Sequence, residues 1–274
     1  MVGSFVMYRL ACLVLLVGCA SAGDGTDVPV DAPAGSDPDG SGEHPDGSSA
    51  CDSKLGMLGV DFEGGAAGFT HALMDGADDV EPDWPYDDWE VGKATSGPGS
   101  CHGGNGCWAT KLDNNYTSCQ RAELVSPAFD LSSCTGRDVK LSFWSWHDFW
   151  TGSYNGTTWF DGGIVEISTD GTTWSAVTPM PAYPGTVDIN PNMGSSYACV
   201  LPTSFRVDGK QGFVGNGGGW KLITIPVPSA MLTSTFRLRF IYGSGVSYAS
   251  TNPETDRQHT RPGWYIDEIA FSAL

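Results

Sequence analysis

The stretch Thr235-Phe-Arg-Leu-Arg-Phe-Ile-Tyr242 places Phe236, Leu238, Phe240 and Tyr242 on one face of an extended chain and Arg237 and Arg239 on the other. A period of two belongs to a β-strand with one face in a core, and it predicts that the arginine face meets water. Val139, Leu141 and Phe143 alternate in the same way with Lys140 and Ser142. Ile164-Val-Glu-Ile-Ser168 runs into Thr169-Asp-Gly171, a tight-turn sequence, and then into Thr173-Trp174, which together predict a hairpin. Working outward, further strands are expected at 57–63, 107–112, 121–126, 139–146, 163–168, 173–177, 220–227 and 264–271, and no long stretch carries helical periodicity. About nine short strands joined by long loops predict an all-β fold: two antiparallel sheets packed as a jelly-roll-like sandwich.

Composition supports a sheet protein and excludes other classes. The chain has 274 residues, of which only 17% are charged, with 37 Gly and 17 Pro. With 14 Lys+Arg against 32 Asp+Glu, it lacks the cations that neutralise phosphates, so nucleic acid is excluded as a partner. The acidity is uneven. Residues 1–90 hold 18 acids and two basic residues, Arg9 and Lys54, while the remainder holds 14 acids and 12 basic residues. The body is almost neutral, so its surface field does not argue for a charged partner.

Residues 10–17 form an apolar run behind Arg9 that is too short to span a bilayer and reads as the core of a signal peptide, residues 1–18. The run ends in Leu16-Val-Gly-Cys19, which resembles the bacterial lipobox, so Cys19 is the expected site of lipidation and the membrane anchor. From 19 to 50 the chain is rich in Gly, Ser, Pro and acid, without Lys, Arg or aromatics. Such a composition buries too little apolar surface to fold, and it predicts a disordered acidic tether ahead of a folded domain at 51–274. The expected address is a bacterial cell envelope, lipid-anchored, at the outer membrane or cell surface.

Beyond the signal peptide and the anchor, Cys51, Cys101, Cys107, Cys119, Cys134 and Cys199 remain, an even number that in an oxidising compartment suggests up to three disulfides. Six cysteines allow fifteen connectivities. Spacing suggests Cys101 with Cys107, around His-Gly-Gly-Asn-Gly, and Cys119 with Cys134 across a strand-like segment. No Cys-x2-Cys pair occurs, which disfavours zinc.

Several pieces carry a family resemblance when taken in order: Val60-Asp-Phe-Glu63, Cys107-Trp-Ala-Thr-Lys-Leu112, Glu123-Leu-Val-Ser-Pro127, Leu141-Ser-Phe-Trp144, Phe160 through Gly171 with Trp174, Gly212-Phe-Val-Gly215 with Trp220, and Gly263-Trp-Tyr-Ile-Asp-Glu-Ile269. The chain resembles sandwich modules related to MAM domains and to the accessory β-domain of immune-inhibitor-A-type secreted metallopeptidases. That resemblance implies a sandwich serving adhesion or ligand binding, without catalysis of its own. It also implies a structural calcium ion held by Glu63 and Asp267, with Asp61, Asp161 and Glu268 as weaker ligands. Calcium accepts six to eight oxygens, which strand carboxylates and loop carbonyls can supply. The alternative is that these are surface carboxylates or partners of an arginine.

Phe143-Trp-Ser-Trp-His-Asp-Phe-Trp150, Tyr154, Trp159 and Phe160 gather aromatics around one hairpin. Phe143, Phe160 and at least one strand tryptophan are expected in the core. Phe149, Trp150, Tyr154 and Trp159, among Gly, Ser, Thr and Asn, are the expected ligand platform, where rings stack on sugars. The acidic run 75–90, with Trp84, Tyr86 and Trp89, reads as a solvated insertion or a partner-binding flap. His147 and Asp148 beside Asp161 and Glu166 raise the alternative of a polysaccharide hydrolase or lyase, which needs acid and base groups converging in a groove. No metallopeptidase, serine-hydrolase or nucleotide-binding motif is present. The sequence therefore predicts a non-enzymatic, calcium-stabilised cell-envelope lipoprotein whose sandwich binds an extracellular glycan or protein.

Overall fold

The computed structural model describes residues 47–74, 87–117, 121–151, 153–154, 158–187, 209–245 and 260–274. Cys19, the signal peptide, nearly all of the expected tether, residues 75–86, Cys119, Cys199 and the Tyr154 side chain lie outside them.

In chain order the strands are β1 (Thr70–Leu73), β2 (Glu90–Gly92), β3 (Cys107–Ala109), β4 (Arg121–Val125), β5 (Val139–Asp148), β6 (Ser153–Tyr154) and β7 (Thr158–Trp159). They continue as β8 (Gly162–Ser168), β9 (Ser175–Ala176), β10 (Gly185–Val187), β11 (Lys210–Gly212), β12 (Lys221–Val227), β13 (Arg237–Gly243) and β14 (Gly263–Ala273). Two five-stranded antiparallel sheets, ordered β1-β4-β13-β8-β9 and β12-β5-β14-β3-β2, form the sandwich. The long strands cross between sheets in succession: β4 and β5, then β12, β13 and β14, alternate from one sheet to the other. That is the jelly-roll habit, and it stitches both layers with sequence-distant pairings.

Alternation builds the core. Val165 and Ile167 of β8 and Leu238, Phe240 and Tyr242 of β13 meet Leu141 and Phe143 of β5, Ile223 and Ile225 of β12, and Trp264 and Ile266 of β14, all buried. Trp264 is the hub: Phe240 and Phe213 stand 5.5 and 5.4 Å from its ring, and its indole N–H donates to Ser145 Oγ at 2.9 Å. Large aromatics dominate the energetics of burial, and a buried indole is stable there when its N–H finds a partner.

A small third sheet, β11-β10-β7-β6, in which β10 and β7 run parallel, lies outside the first. Its Val187, with Val214, covers Ile164 and Ile241. The covered face corrects the expectation that the arginine side of β13 is wet. Arg239 is 5% exposed; its Nε and Nη2 donate to Glu166 Oε2 at 2.9 and 2.6 Å, Nη1 donates to Glu123 Oε2 at 2.6 Å, and Trp174 lies 4.2 Å over its guanidinium. Register explains it, since Arg239 pairs directly with Glu166 on β8.

Two other expectations change. The segment 57–63 contributes one bridge, Val60 to Ile269, because Phe62 turns to φ 59° and breaks the extended run. A helix, Gly47–Gly56, begins inside the stretch read as tether. It carries Cys51, which bonds to Cys134, so the pairing of Cys134 with Cys119 is corrected. The helix packs its buried Cys51 and Leu55 into the main core beside Cys134, which brings the two sulfurs together across 83 residues. Cys101 bonds to Cys107.

Candidate functional site

The ten residues of β5 alternate without a fault between buried and half-buried. Val139, Leu141, Phe143, Ser145 and His147 point inward, so Trp144 and Trp146 stand on the outer face of the second sheet. Sheet register sets their neighbours: Leu222 and Asp267 lie opposite Trp144, and Tyr265 lies opposite Trp146. Trp146 meets the Tyr265 ring edge-on at 5.3 Å. Trp220, just before β12, closes the row, and Leu222 beside it is 45% exposed. A half-exposed aromatic row on one rigid sheet is the kind of surface that marks a binding site.

One end of this face is finished by the loop that Cys101 and Cys107 close. His102 on that loop lies flat on Trp144, with ring centroids 3.7 Å apart and planes 14° from parallel, and stands edge-on to Trp220 at 5.8 Å. Glu268 Oε2 holds His102 Nδ1 at 2.6 Å. The Glu63 carboxylate accepts backbone N–H bonds from Asn105 and Gly106 at 2.7–3.0 Å, and Asp267 accepts one from Gly103 at 3.0 Å. Asp267 is buried, which pushes its carboxyl up to about 6 despite those bonds. The loop sits so close that a Cβ on Gly106 would overlap the Phe62 carbonyl and one on Gly103 would overlap Glu268. Glycine is demanded at 106 by that backbone contact, whereas at 103 the end of the Glu268 side chain would have to move.

The carboxylates expected to share calcium are spent differently. Glu63 and Asp267 anchor one loop, and Asp61 accepts the Glu63 N–H at 3.2 Å. Asp161 is elsewhere, buried, accepting the Tyr116 hydroxyl and the Gly245 N–H. Among the described residues no group of three or more His, Cys, Asp or Glu side chains is gathered about one point.

The expected loop platform is also redistributed. Phe149 is fully buried against Trp264, Tyr116 and His147, which corrects its place on an exposed surface: the β5 alternation carries on one residue past the strand end. Trp150 stacks on Phe160 at 5.6 Å while its backbone N–H donates to Tyr116 Oη. Trp159 packs against the Val187 and Val214 cluster. Of the acidic run, residues 87–90 are not a solvated flap. Asp88 is buried, accepting bonds from Thr117 and Tyr242, and Trp89 is in the core.

The groups weighed for catalysis do not converge. His147 is buried; desolvation lowers its imidazole to about 4, it bonds to the Val214 backbone, and its Nε2 has no partner among the described residues. Glu166 is committed to Arg239, with Lys210 Nζ at 3.6 Å. Asp161 is fully enclosed, which pushes it up to about 7. All three are buried, each with partners of its own, and Asp148, the fourth group, accepts a bond from the Asn216 side chain.

Sequence reading missed His102, Trp144, Trp146 and Trp220 as site residues. The alternation of β5 was the available signal. Carried from Phe143 to Asp148, it puts both strand tryptophans outside.

Fold and face define a two-sheet β-sandwich with an aromatic outer surface. No family model matches the chain. No curated protein matches it. Among solved structures it is similar to the K2 cleaved adhesin domain of Lys-gingipain, with TM-score 0.40 and 16% identity over 78% of this chain and 98% of that one. It is also similar to the CBM22-2 xylan-binding domain from Paenibacillus barcinonensis, with TM-score 0.34 and 14% identity over 80% and 99% of the two chains.

Proposed function

We propose that this protein is a non-catalytic glycan-binding module, displayed from a cell envelope by a lipidated Cys19 and an acidic tether, and that the outer face of its second sheet receives the sugar. One observation carries the reading: Trp144 and Trp146 on β5 and Trp220 just before β12 stand on one face, with a planar ring, His102, already stacked on Trp144 at 3.7 Å. A surface that takes one flat ring at van der Waals distance is shaped to take the apolar face of another, such as a pyranose. The carboxylates of Glu268 and Glu63 at the loop end supply acceptors for sugar hydroxyls and disfavour anionic polysaccharides.

The test is a polysaccharide and glycan array probed with the full chain and with Trp144→Ala. Saturable binding to neutral glycans that the variant loses supports the reading. Binding that survives Trp144→Ala and Trp146→Ala alike, or a blank array from folded protein, contradicts it and leaves the same face to a protein partner.

A further inference from the structure

A pocket of about 440 Å³ opens on the far side of the molecule, over the outer face of the first sheet. It lies between the segment after β9 and strand β11, with Ile164 of β8 also in its lining. Its walls are pinned independently. Met180 and Thr224 exchange backbone hydrogen bonds at 2.8 and 2.9 Å, fixing the 176–183 segment to the edge of the second sheet. Tyr183 packs edge-on against Phe213 at 4.9 Å and its oxygen accepts the Val165 N–H at 3.0 Å. Gln211 Nε2 donates to Thr186 Oγ1 at 2.6 Å. The pocket is therefore formed before anything enters it, which spares a ligand the cost of ordering its walls.

Its lining mixes apolar and polar side chains. Ile164, Val177 and Ala182 give apolar surface, while Tyr183, Lys210 and Gln211 bring polar groups to the same space. The Tyr183 oxygen is used as an acceptor, which leaves its O–H to donate, and burial holds that phenol protonated by pushing it up to about 12. The Lys210 side chain is 41% exposed and its ammonium pairs with Glu166 Oε1 at 3.6 Å, longer than a direct hydrogen bond, so the pair leaves N–H donors for a ligand oxygen. Behind the pocket, the positive charges of Arg239 and Lys210 offset the negative charges of Glu166 and Glu123. Such a pocket has nothing to gain from an ion. Its volume is within the range of small-molecule sites, roughly 300–1,000 Å³.

We infer that this pocket is a second ligand site, separate from the aromatic face, that takes a neutral sugar unit through one apolar ring face and donors from Tyr183, Lys210 and Gln211. Two sites on opposite faces would let one module bridge two glycan chains, raising avidity without tighter individual contacts.

Saturation-transfer NMR of the full chain with methyl β-D-glucopyranoside, methyl β-D-xylopyranoside and glucuronate tests this. Ala176 is exposed on the rim, so Ala176→Trp fills the pocket without entering the core, and Lys210→Met is a second variant should the first misfold. A neutral glycoside is expected to bind saturably in the millimolar range, to lose at least tenfold in affinity in either variant, and to be unaffected by Trp146→Ala. No saturable signal, a signal lost in Trp146→Ala alone, or preference for glucuronate overturns the inference. Because Trp146→Ala reports the aromatic face and Ala176→Trp the pocket, failure of either site is distinguishable from failure of the other.

Discussion

His102 and Trp144, brought together by a disulfide-closed loop and a β-strand, lie ring on ring 3.7 Å apart. Glu268 Oε2 holds the imidazole from its edge at 2.6 Å, so loop, strand and the bulge of β14 meet at one stacked pair. Removing the indole deletes both the stack and the platform. Trp144→Ala is expected to weaken glycan binding at least tenfold, about 1.4 kcal/mol, while leaving the melting temperature nearly unchanged, because Trp144 stands outside the core. Isothermal titration paired with thermal melts checks both halves of this expectation.

The two disulfides are expected to separate stability from binding. Cys51–Cys134 closes 83 residues, and the chain-entropy model assigns about 4.5 kcal/mol to a loop of that length against about 2 kcal/mol for the six-residue span of Cys101–Cys107. Cys134→Ser should therefore lower the denaturation midpoint strongly without altering affinity in the folded fraction. Cys101→Ser with Cys107→Ser should cost less stability yet release His102 and change affinity. Urea titrations followed by binding assays on the same samples discriminate the two.

Arg239 is enclosed with Glu166 and Glu123, and loss of one partner strands a buried charge. Arg239→Met is expected to destabilise by about 3–5 kcal/mol, and adding Glu166→Leu to recover most of it, since a matched apolar pair removes the desolvation cost of both ions. A double-mutant cycle in urea measures the coupling. Equal, additive losses would contradict a coupled buried pair.

Stability should bend with pH in two opposing ways. Asp161 keeps its proton up to about pH 7 in the folded chain because burial outweighs the bonds from Tyr116 and Gly245, whereas the unfolded carboxyl loses it near 3.8. The folded state then holds the extra proton, so this group's contribution falls as pH rises from about 4 to about 7, with Asp267 adding the same trend up to about 6. His147 works the other way. Its folded value near 4, against 6.5 unfolded, makes its contribution fall as pH drops from 6.5 toward 4. Urea midpoints across pH 4–8 should lose the decline between pH 6 and 7 in Asp161→Asn, and lose part of the acid-side decline in His147→Gln.

The strands that could be read from the sequence were those carried by their own β-branched and aromatic residues, β3, β4, β5, β8, β9, β12, β13 and β14. Strands such as β2 and β11 are three residues long and owe their extension to neighbours, which no local pattern records. The buried Arg239 face was misread for the same reason: a charged residue looks wet until a distant segment, here the third sheet and Trp174, is known to cover it. The helix at Gly47–Gly56 has almost no amphipathic pattern and is held through Cys51 and Leu55. At the site, Glu63 and Asp267 were legible as a pair that ties chain ends together, but as anchors for backbone N–H groups. Of the loop aromatics, Phe149 is fully buried because the β5 alternation carries it inward, while Trp150 and Trp159 are half-buried like Trp144 and Trp146 in the strand.

The most direct test of the central claim is two-dimensional NMR of the indole N–H resonances during titration with whichever neutral glycan the array returns. The account predicts that the signals of Trp144, Trp146 and Trp220, assigned by single Trp→Phe replacements, shift together and saturate at one affinity, with Trp150 and Trp159 unmoved. Shifts confined to Trp150 and Trp159, with the outer-face trio silent, would contradict it.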